Sequence, residues 1–243
     1  MKKGYSRVGS RFRQYGASLL LIQLVLACSP NGERQETASN TANAAAPIPA
    51  ANAAIPADAK LVVVFGDSLY AGYSLDPTEG FGPVLEKALN AKGVKAHVFN
   101  AGVSGDTSAD GRNRLDFVLD GLPRKPDLVL VGLGGNDMLR ALGPEMTRDN
   151  LDAILSELKK RGIPTMLTGI LTSPNMGPDY AAAFNPIYTD LAKKYGVPLY
   201  PFLLDGVIGH RDLQLPDGIH PNAKGVEIIV GKVSPMVAKD LKN

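Results

Sequence analysis

Short apolar segments that alternate with helical patterns constrain the fold of this chain more than any other feature. The segments are rich in Val, Leu and Ile and are bounded by Gly, Pro or Asp; they cover residues 61–65, 97–100, 127–133, 165–171 and 198–203. Because they are continuously apolar rather than alternating, they predict strands that are covered on both faces, as in a parallel sheet.

Amphipathic helical patterns lie between these segments. The clearest pattern begins after Thr147 and stops at Gly162, with an apolar face formed by Leu151, Ile154, Leu155 and Leu158. Similar patterns cover about residues 82–92, 180–195 and 224–241. Strands that alternate with helices predict an α/β fold, a three-layer α/β/α sandwich with a parallel sheet.

The N-terminus has the features of a bacterial secretory signal. Residues 1–27 carry five basic and no acidic side chains, and a short apolar stretch at 17–26 is too short to span a bilayer as a helix. Cys28, the only cysteine, follows Leu24-Val25-Leu26-Ala27, which resembles a lipobox. We therefore expect lipidation of Cys28 and a lipid-anchored, periplasm-facing protein of the cell envelope. The alternative is an ordinary signal peptide, an incidental cysteine and a soluble periplasmic protein.

The segment that follows Cys28 is predicted to be a disordered tether. Residues 28–58 are rich in Ala, Asn, Thr and Pro and contain no long apolar run, so they cannot bury enough surface to offset the entropy of ordering. The folded domain is predicted to cover residues 59–243. Removal of the five basic residues of the signal changes the formal charge from +2 to −3, so no nucleic-acid partner is expected.

Three motifs far apart in the sequence supply the residue types of an acyl-transfer site. Ser68 follows the first predicted strand, Asn136 follows the third, and Asp217 precedes His220 by three residues near the C-terminus. A serine hydroxyl becomes a nucleophile when a histidine takes its proton, and a carboxylate orients that histidine. The carboxyl ends of parallel strands meet at one edge of a sheet. The sequence therefore predicts a serine hydrolase site at that edge.

Each motif alone also has a structural interpretation. Gly66-Asp67-Ser68 is compatible with a turn into a capped helix, Asp106 or Thr107 with capping of another, and Asn136 or Asp137 with capping of a third. The Gly-x-Ser-x-Gly nucleophile elbow is absent, which argues against the common α/β-hydrolase fold. His97 and His210 lack the neighbours of His220; we interpret His97 as packed against the sheet and His210 as a solvated loop residue. Because metal and nucleotide motifs are also absent from the sequence, we expect no metal site and no cofactor.

Together the motifs resemble the SGNH (GDSL) hydrolase superfamily. Its four blocks are matched in order by residues 66–69, 102–105, 134–136 and 217–220. Residues 104–108, 133–140 and 217–222 are similar to the bacterial acyl-CoA thioesterase I, lysophospholipase L1 and arylesterase group. The resemblance implies a flavodoxin-like fold and hydrolysis of acyl esters and thioesters, including aryl esters, lysophospholipids and substrates of the acyl-CoA type.

The resemblance also implies a role for each matched residue. Ser68 is implied to be the nucleophile, His220 the general base and then acid, and Asp217 the residue that orients it. The implied oxyanion hole combines the N–H groups of Ser68 and Gly105 with the Asn136 side chain. The expected partners of the protein are small acyl esters or thioesters. We expect its acyl pocket to be lined by Met138, Leu139, Leu142 and the loop at 174–178.

Two other functions remain open from the sequence. A carbohydrate O-acetylesterase belongs to the same superfamily and would prefer acetyl over longer acyl chains. A non-enzymatic α/β ligand-binding lipoprotein would share the fold and the anchor, but it would leave Ser68, Asn136 and His220 together unexplained. Selectivity for acyl-chain length distinguishes the two enzymes.

Overall fold

The predicted strands form one parallel sheet at the centre of the fold. In the computed structural model, which describes residues 55–242, they are β1 (Lys60–Gly66), β2 (Ala96–Gly102), β3 (Leu128–Gly132), β4 (Thr165–Thr168) and β5 (Leu199–Tyr200). Their order across the sheet is β2-β1-β3-β4-β5, and all neighbouring pairs are parallel. This is the strand order of the flavodoxin-like doubly wound fold.

Helices connect the strands and cover both faces of the sheet. They are α1 (Ser68–Ala71), α2 (Phe81–Ala91), α3 (Ser108–Asp120), α4 (Gly135–Leu139), α5 (Pro144–Lys160), α6 (Pro178–Phe184), α7 (Pro186–Tyr195) and α8 (Ala223–Asp240). Single 3-10 turns lie at Pro174–Met176 and Arg211–Leu213.

Alternate side chains of β1 face opposite layers of the molecule. Val62 and Val64 pack with the buried faces of α2 and α8, whereas Val63 and Phe65 pack with those of α3, α5 and α7. All four side chains are fully buried, which accounts for the continuous apolar sequence of the strand. The predicted three-layer α/β/α sandwich with a parallel sheet is confirmed.

Helix α3 was not among the predicted elements. Its sequence contains Gly111 and many charged residues, so its apolar face is reduced to Leu115, Val118 and Leu119. A capping box between Thr107 and Asp110 begins the helix, as the structural interpretation of that motif allowed. A Cβ on Gly111 would lie 2.2 Å from Leu133 Cδ1. Glycine therefore permits this helix to pack closely against the segment that follows β3.

Other elements differ from the prediction at their ends. Helix α5 begins at Pro144 rather than after Thr147, because proline is well suited to the first helical turn. The predicted helix at 180–195 is two helices, since Pro186 begins a new one. Strand β4 ends at Thr168 and β5 has only 2 residues, so the apolar residues beyond them belong to loops.

Glycines end the three adjacent strands β2, β1 and β3 in register. Gly66 pairs with Gly102 on one side and with Gly132 on the other. A Cβ on Gly66 would lie 2.5 Å from the Gly132 carbonyl oxygen, and one on Gly102 would lie 2.3 Å from the Ala71 nitrogen. The absence of side chains at these positions therefore permits α1 to lie directly on the carboxyl edge of the sheet.

The N-terminal predictions lie outside the described residues. The signal peptide at 1–27, Cys28 and the tether up to residue 54 all precede the first described residue and stay predictions. Between residues 55 and 242, no helix has both the length and the apolar character needed to cross a bilayer.

Candidate active site

Ser68 is the first residue of α1, just beyond the carboxyl end of β1. The Asp67 carboxylate caps this helix by accepting a hydrogen bond from the Leu69 backbone N–H at 3.0 Å. The helix ends after four residues at Gly72, whose φ of +78° turns the chain back. These constraints leave Ser68 half-buried and facing a cleft at the edge of the sheet.

Asp217 and His220 are held by a tight turn near the C-terminus. One carboxylate oxygen of Asp217 accepts hydrogen bonds from the backbone N–H groups of Ile219 and His220, at 2.9 and 3.0 Å. Its other oxygen lies 2.6 Å from His220 Nδ1. The Gln214 side chain supports the turn by donating to the Gly218 carbonyl oxygen at 2.7 Å. The spacing of three residues thus places the carboxylate against the imidazole.

The fold brings this turn to Ser68. His220 Nε2 lies 2.8 Å from Ser68 Oγ. Although burial alone raises the pKa of Asp217, hydrogen bonds from two backbone N–H groups and from the His220 ring lower it to about 2. An ionised carboxylate only accepts hydrogen bonds, so Nδ1 of the neutral imidazole carries the proton and donates it to Asp217. Nε2 is therefore left as the acceptor for the Ser68 hydroxyl.

Tyr73 adds a contact that the sequence motifs did not suggest. Its ring centre lies 4.5 Å from that of His220, with the planes tilted by 34°. The tyrosine follows the turn at Gly72, so its place beside the imidazole depends on tertiary structure rather than on a local pattern. The distance and tilt are those of an aromatic contact with one face of the imidazole.

Asn136, on α4, and Gly105, in the loop after β2, lie at the same edge of the sheet. The Asn136 amide donates one hydrogen bond to the Asp106 carbonyl oxygen at 2.9 Å. Its second N–H has no acceptor among residues 55–242, and the residue lines the cleft. Gly105 has a φ of +89°, and its carbonyl oxygen accepts a hydrogen bond from Arg140 Nη2 at 2.7 Å. Gly105 lies beside the cleft without being among the residues that line it.

Asp137 has a structural role that differs from the capping of its own helix. Gly134, with a φ of +112°, is the N-cap of α4, so capping by Asn136 or Asp137 is wrong. The buried Asp137 carboxylate instead accepts hydrogen bonds from the Ser108 N–H at 2.8 Å, from the Ser108 hydroxyl and from the Thr147 hydroxyl. It thereby joins the start of α3 to α4 and α5.

The remaining histidines stay apart from this site. His97 lies on β2 with its Nδ1 3.3 Å from Glu86 Oε2, and His210 is exposed next to the second 3-10 turn. In the part of the chain that the structure describes, no three His, Cys, Asp or Glu side chains are grouped as metal ligands would be.

A cleft of about 400 Å³ opens beside Ser68, within the size range of small-molecule sites. Its apolar walls are formed by Leu69, Met138, Leu139, Ile170, Leu171, Pro174, Phe202, Leu204, Ile208 and Ile219. The expected contributions of Met138, Leu139 and Pro174 agree with this lining. Leu142 and residues 175–178 do not line the cleft, whereas the loop that carries Phe202 and Ile208 was missed.

Asp67 is a buried carboxylate at the base of the cleft, with only 2% of its surface exposed. Burial raises its pKa from 3.8 to about 6; the Leu69 N–H and His220 act in the opposite direction, and the carboxylates of Asp106 and Asp137 add to the rise. The folded state thus binds this proton more tightly than the unfolded chain. Stability from this group is present below pH 3.8 and is lost as the pH rises through about 6.

We expect Asp67→Asn to stabilise the fold in a pH-dependent manner. An asparagine oxygen still caps α1, but the variant has no charge to bury at neutral pH. The free energy of unfolding of the variant minus that of wild type should be about 2 kcal/mol larger at pH 8 than at pH 4.5. Complete ionisation of Asp67 would change this difference by about 3 kcal/mol. Urea unfolding at the two pH values measures this difference. A difference that does not change with pH would show that Asp67 is not buried as a costly charge.

Comparison with known proteins agrees with this architecture. Serine, histidine and aspartate side chains are joined by hydrogen bonds at the carboxyl edge of a parallel sheet, and the solved structures that resemble this chain include an SGNH-hydrolase family esterase. Residues 64–228 match the model of the GDSL-like Lipase/Acylhydrolase family. The chain belongs to this family, and the resemblance seen in its motifs is confirmed.

Relatives extend the match over most of the domain. Esterase TesA of Pseudomonas aeruginosa is 40% identical over 165 residues, 68% of this chain and 81% of that protein. Thioesterase 1/protease 1/lysophospholipase L1 of Escherichia coli K12 is 36% identical over 188 residues, 76% of this chain and 88% of the relative. The crystal structure of AlinE4, an SGNH-hydrolase family esterase, is 48% identical with a TM-score of 0.66, covering 76% of this chain and 97% of that one.

Proposed function

We propose that this chain is a serine esterase that hydrolyses acyl esters and thioesters, with Ser68, His220 and Asp217 as its catalytic residues. The observation that carries the proposal is the chain of hydrogen bonds from Asp217 through His220 to Ser68. This chain of hydrogen bonds ends at an apolar cleft. Membership of a lipase and acylhydrolase family supports it.

In each step of the proposed reaction, His220 Nε2 takes up or gives back a proton. His220 Nε2 takes the Ser68 hydroxyl proton while the oxygen attacks the acyl carbonyl carbon. The ionised Asp217 stabilises the imidazolium that forms and keeps Nε2 directed at the reacting atoms. His220 then gives this proton to the leaving alcohol or thiol, and the acyl group remains as an ester on Ser68. A water that loses a proton to the same nitrogen attacks that ester. As the acid leaves, Nε2 returns this proton to Ser68 Oγ, which restores both residues.

The developing oxyanion is proposed to be held by three N–H donors. Ser68 is the first residue of α1, so its backbone N–H has no acceptor within the helix. The Gly105 N–H comes from the loop after β2, and the second N–H of the Asn136 amide comes from α4. Such donors are fixed before reaction begins, and they stabilise the transition state more than the neutral carbonyl of the substrate.

The mouth of the cleft favours acyl chains longer than acetyl. Leu139, Leu171, Ile208 and Ile219 line it and each expose between 40 and 52% of their surface. Exposed apolar side chains around a concave site mark a binding surface. An acetyl group would leave most of this surface in water, whereas each added methylene that is buried contributes about 0.8 kcal/mol. This favours acyl esters and thioesters over carbohydrate O-acetyl groups.

A series of p-nitrophenyl esters tests the function and the chain preference together. Starting from acetate, kcat/KM should rise by about fourfold for each added methylene until the cleft is filled. Release of p-nitrophenolate provides the measurement. A series that is flat or falls after acetate would favour the O-acetylesterase instead, and no turnover of any ester would contradict the proposal.

A pair of matched variants locates this preference in the cleft. Ile208→Asp places a charge where the acyl chain is expected, so it should remove the gain for long esters while acetate is still hydrolysed. Phe117, on α3, is another exposed apolar residue, with 72% of its surface in water, and does not line the cleft. Phe117→Asp should therefore leave the whole series unchanged. Equal effects of the two variants would place the preference outside the cleft.

A further inference from the structure

One largely buried arginine connects two segments of the proposed active site. Arg114 lies on α3 with 18% of its side chain exposed. Its Nε donates a hydrogen bond to Asp106 Oδ2 at 2.6 Å, and its Nη2 donates one to the Gly66 carbonyl oxygen at 2.9 Å. Its guanidinium carbon lies 4.3 Å from the centre of the Phe65 ring, within the range of cation–π attraction. A single planar group thus spans the end of β1 and the loop after β2.

The two partners of Arg114 are directly connected to the proposed reacting groups. Gly66 ends the strand that leads to the nucleophile. Asp106 follows Gly105, and its own carbonyl oxygen accepts the hydrogen bond from the Asn136 amide. A movement of the Asp106 residue would therefore displace two of the proposed oxyanion donors together.

Stability alone accounts poorly for this arrangement. The Asp106 side chain is only 12% exposed, and burial raises its pKa even though Arg114 acts to lower it. Shielded ion pairs contribute little net stability, because desolvation offsets their attraction. Moreover, Arg114 Nη1 is buried and has no hydrogen-bond partner among residues 55–242. What the planar guanidinium does provide is fixed geometry between the end of β1 and the loop after β2.

We propose that Arg114 is a positioning residue that holds the oxyanion donors Gly105 and Asn136 in register with Ser68. It touches neither substrate nor reacting atoms and acts through Asp106 and Gly66. This inference rests on the proposed function, since it assigns a support for the oxyanion hole of that same site.

Replacement of Arg114 by methionine tests the inference through the split between kcat and KM. Arg114→Met should lower kcat for the preferred ester by roughly 10- to 100-fold, because small displacements of oriented groups are costly in the transition state. KM should change by less than about twofold, since ground-state binding is not altered. Arg112→Met is the matched control: Arg112 is exposed on the same helix and bonds to Asn150. It should keep wild-type kcat.

Replacement by lysine keeps the test valid if the methionine variant does not fold. Arg114→Lys retains the positive charge beside Asp106, but a single ammonium cannot reproduce the planar fork to two partners. We expect a thermal unfolding midpoint close to that of wild type and a kcat that is several-fold lower. Wild-type kcat in the lysine variant would overturn the inference, whatever happens to Arg114→Met.

A double-mutant cycle asks whether Arg114 acts through Asn136. Asn136→Ala alone should lower kcat by roughly 10²- to 10³-fold, the usual cost of one lost donor. Arg114→Met should cost less in that background than in wild type, because one donor that it positions is already absent. Losses that multiply would overturn the inference.

Failure of the proposed function and failure of this inference give different results. If Ser68→Ala remains active, the proposed function itself has failed. If Ser68→Ala is inactive and Arg114→Met has wild-type kcat, only the inference has failed.

Discussion

Ser68→Ala is expected to lower kcat for ester hydrolysis by roughly 10⁴- to 10⁶-fold while the fold remains intact. The side chain occupies the start of α1, where alanine is compatible with the helix, and the Asp67 cap does not depend on the hydroxyl. The loss therefore measures chemistry rather than unfolding. Steady-state hydrolysis of the preferred p-nitrophenyl ester and a circular dichroism spectrum give the two readings.

A covalent probe identifies the nucleophile independently of turnover. Because His220 Nε2 accepts from the Ser68 hydroxyl at 2.8 Å, a fluorophosphonate should label wild type at Ser68 and should not label Ser68→Ala. Ser156, which is exposed on α5, offers a control, and Ser156→Ala should be labelled as fully as wild type. An adduct on a different serine, or wild-type turnover in Ser68→Ala, would contradict the assignment.

The parts of the fold that were predicted correctly are those with a strong local pattern. Residues 61–65 are apolar at every position because both faces of β1 are covered, and the apolar face of α5 repeats at helical spacing. Helix α3 lacked such a pattern because Gly111 and its charged residues serve tertiary contacts. Gly111 lies against Leu133, and Arg114 bonds to Gly66, which is 48 positions away in the sequence. No periodicity within that helix reports on either contact.

The residues of the candidate site also divide into those that a local sequence motif indicates and those that only tertiary contacts reveal. Short motifs whose residue types are suited to acyl transfer contain Ser68, Asn136, Asp217 and His220. Sequence alone therefore indicated these residues. No sequence motif indicates Tyr73 or Arg114. Tertiary structure places Tyr73 beside the His220 imidazole and Arg114 beside the loop after β2. The cleft wall at 202–208 was also hidden, because those apolar residues continue beyond a strand of only 2 residues and resemble the strand itself.

The strongest test of a shared catalytic role is a comparison of single and double losses. His220→Ala should lower kcat about as much as Ser68→Ala, because the hydroxyl is not activated without its base. The Ser68→Ala/His220→Ala double variant should then be no slower than either single variant within experimental error. Asp217→Ala should cost less, since an imidazole without its carboxylate partner keeps part of its basicity.

Non-additivity is informative here because the two residues come from opposite ends of the domain. They are 152 positions apart and are joined by one hydrogen bond, so coupling between their losses requires the geometry in which that bond exists. If the two losses multiplied, His220 would contribute to catalysis without activating Ser68. The proton would then have to leave the hydroxyl by another route, and the proposed mechanism would be wrong at its first step.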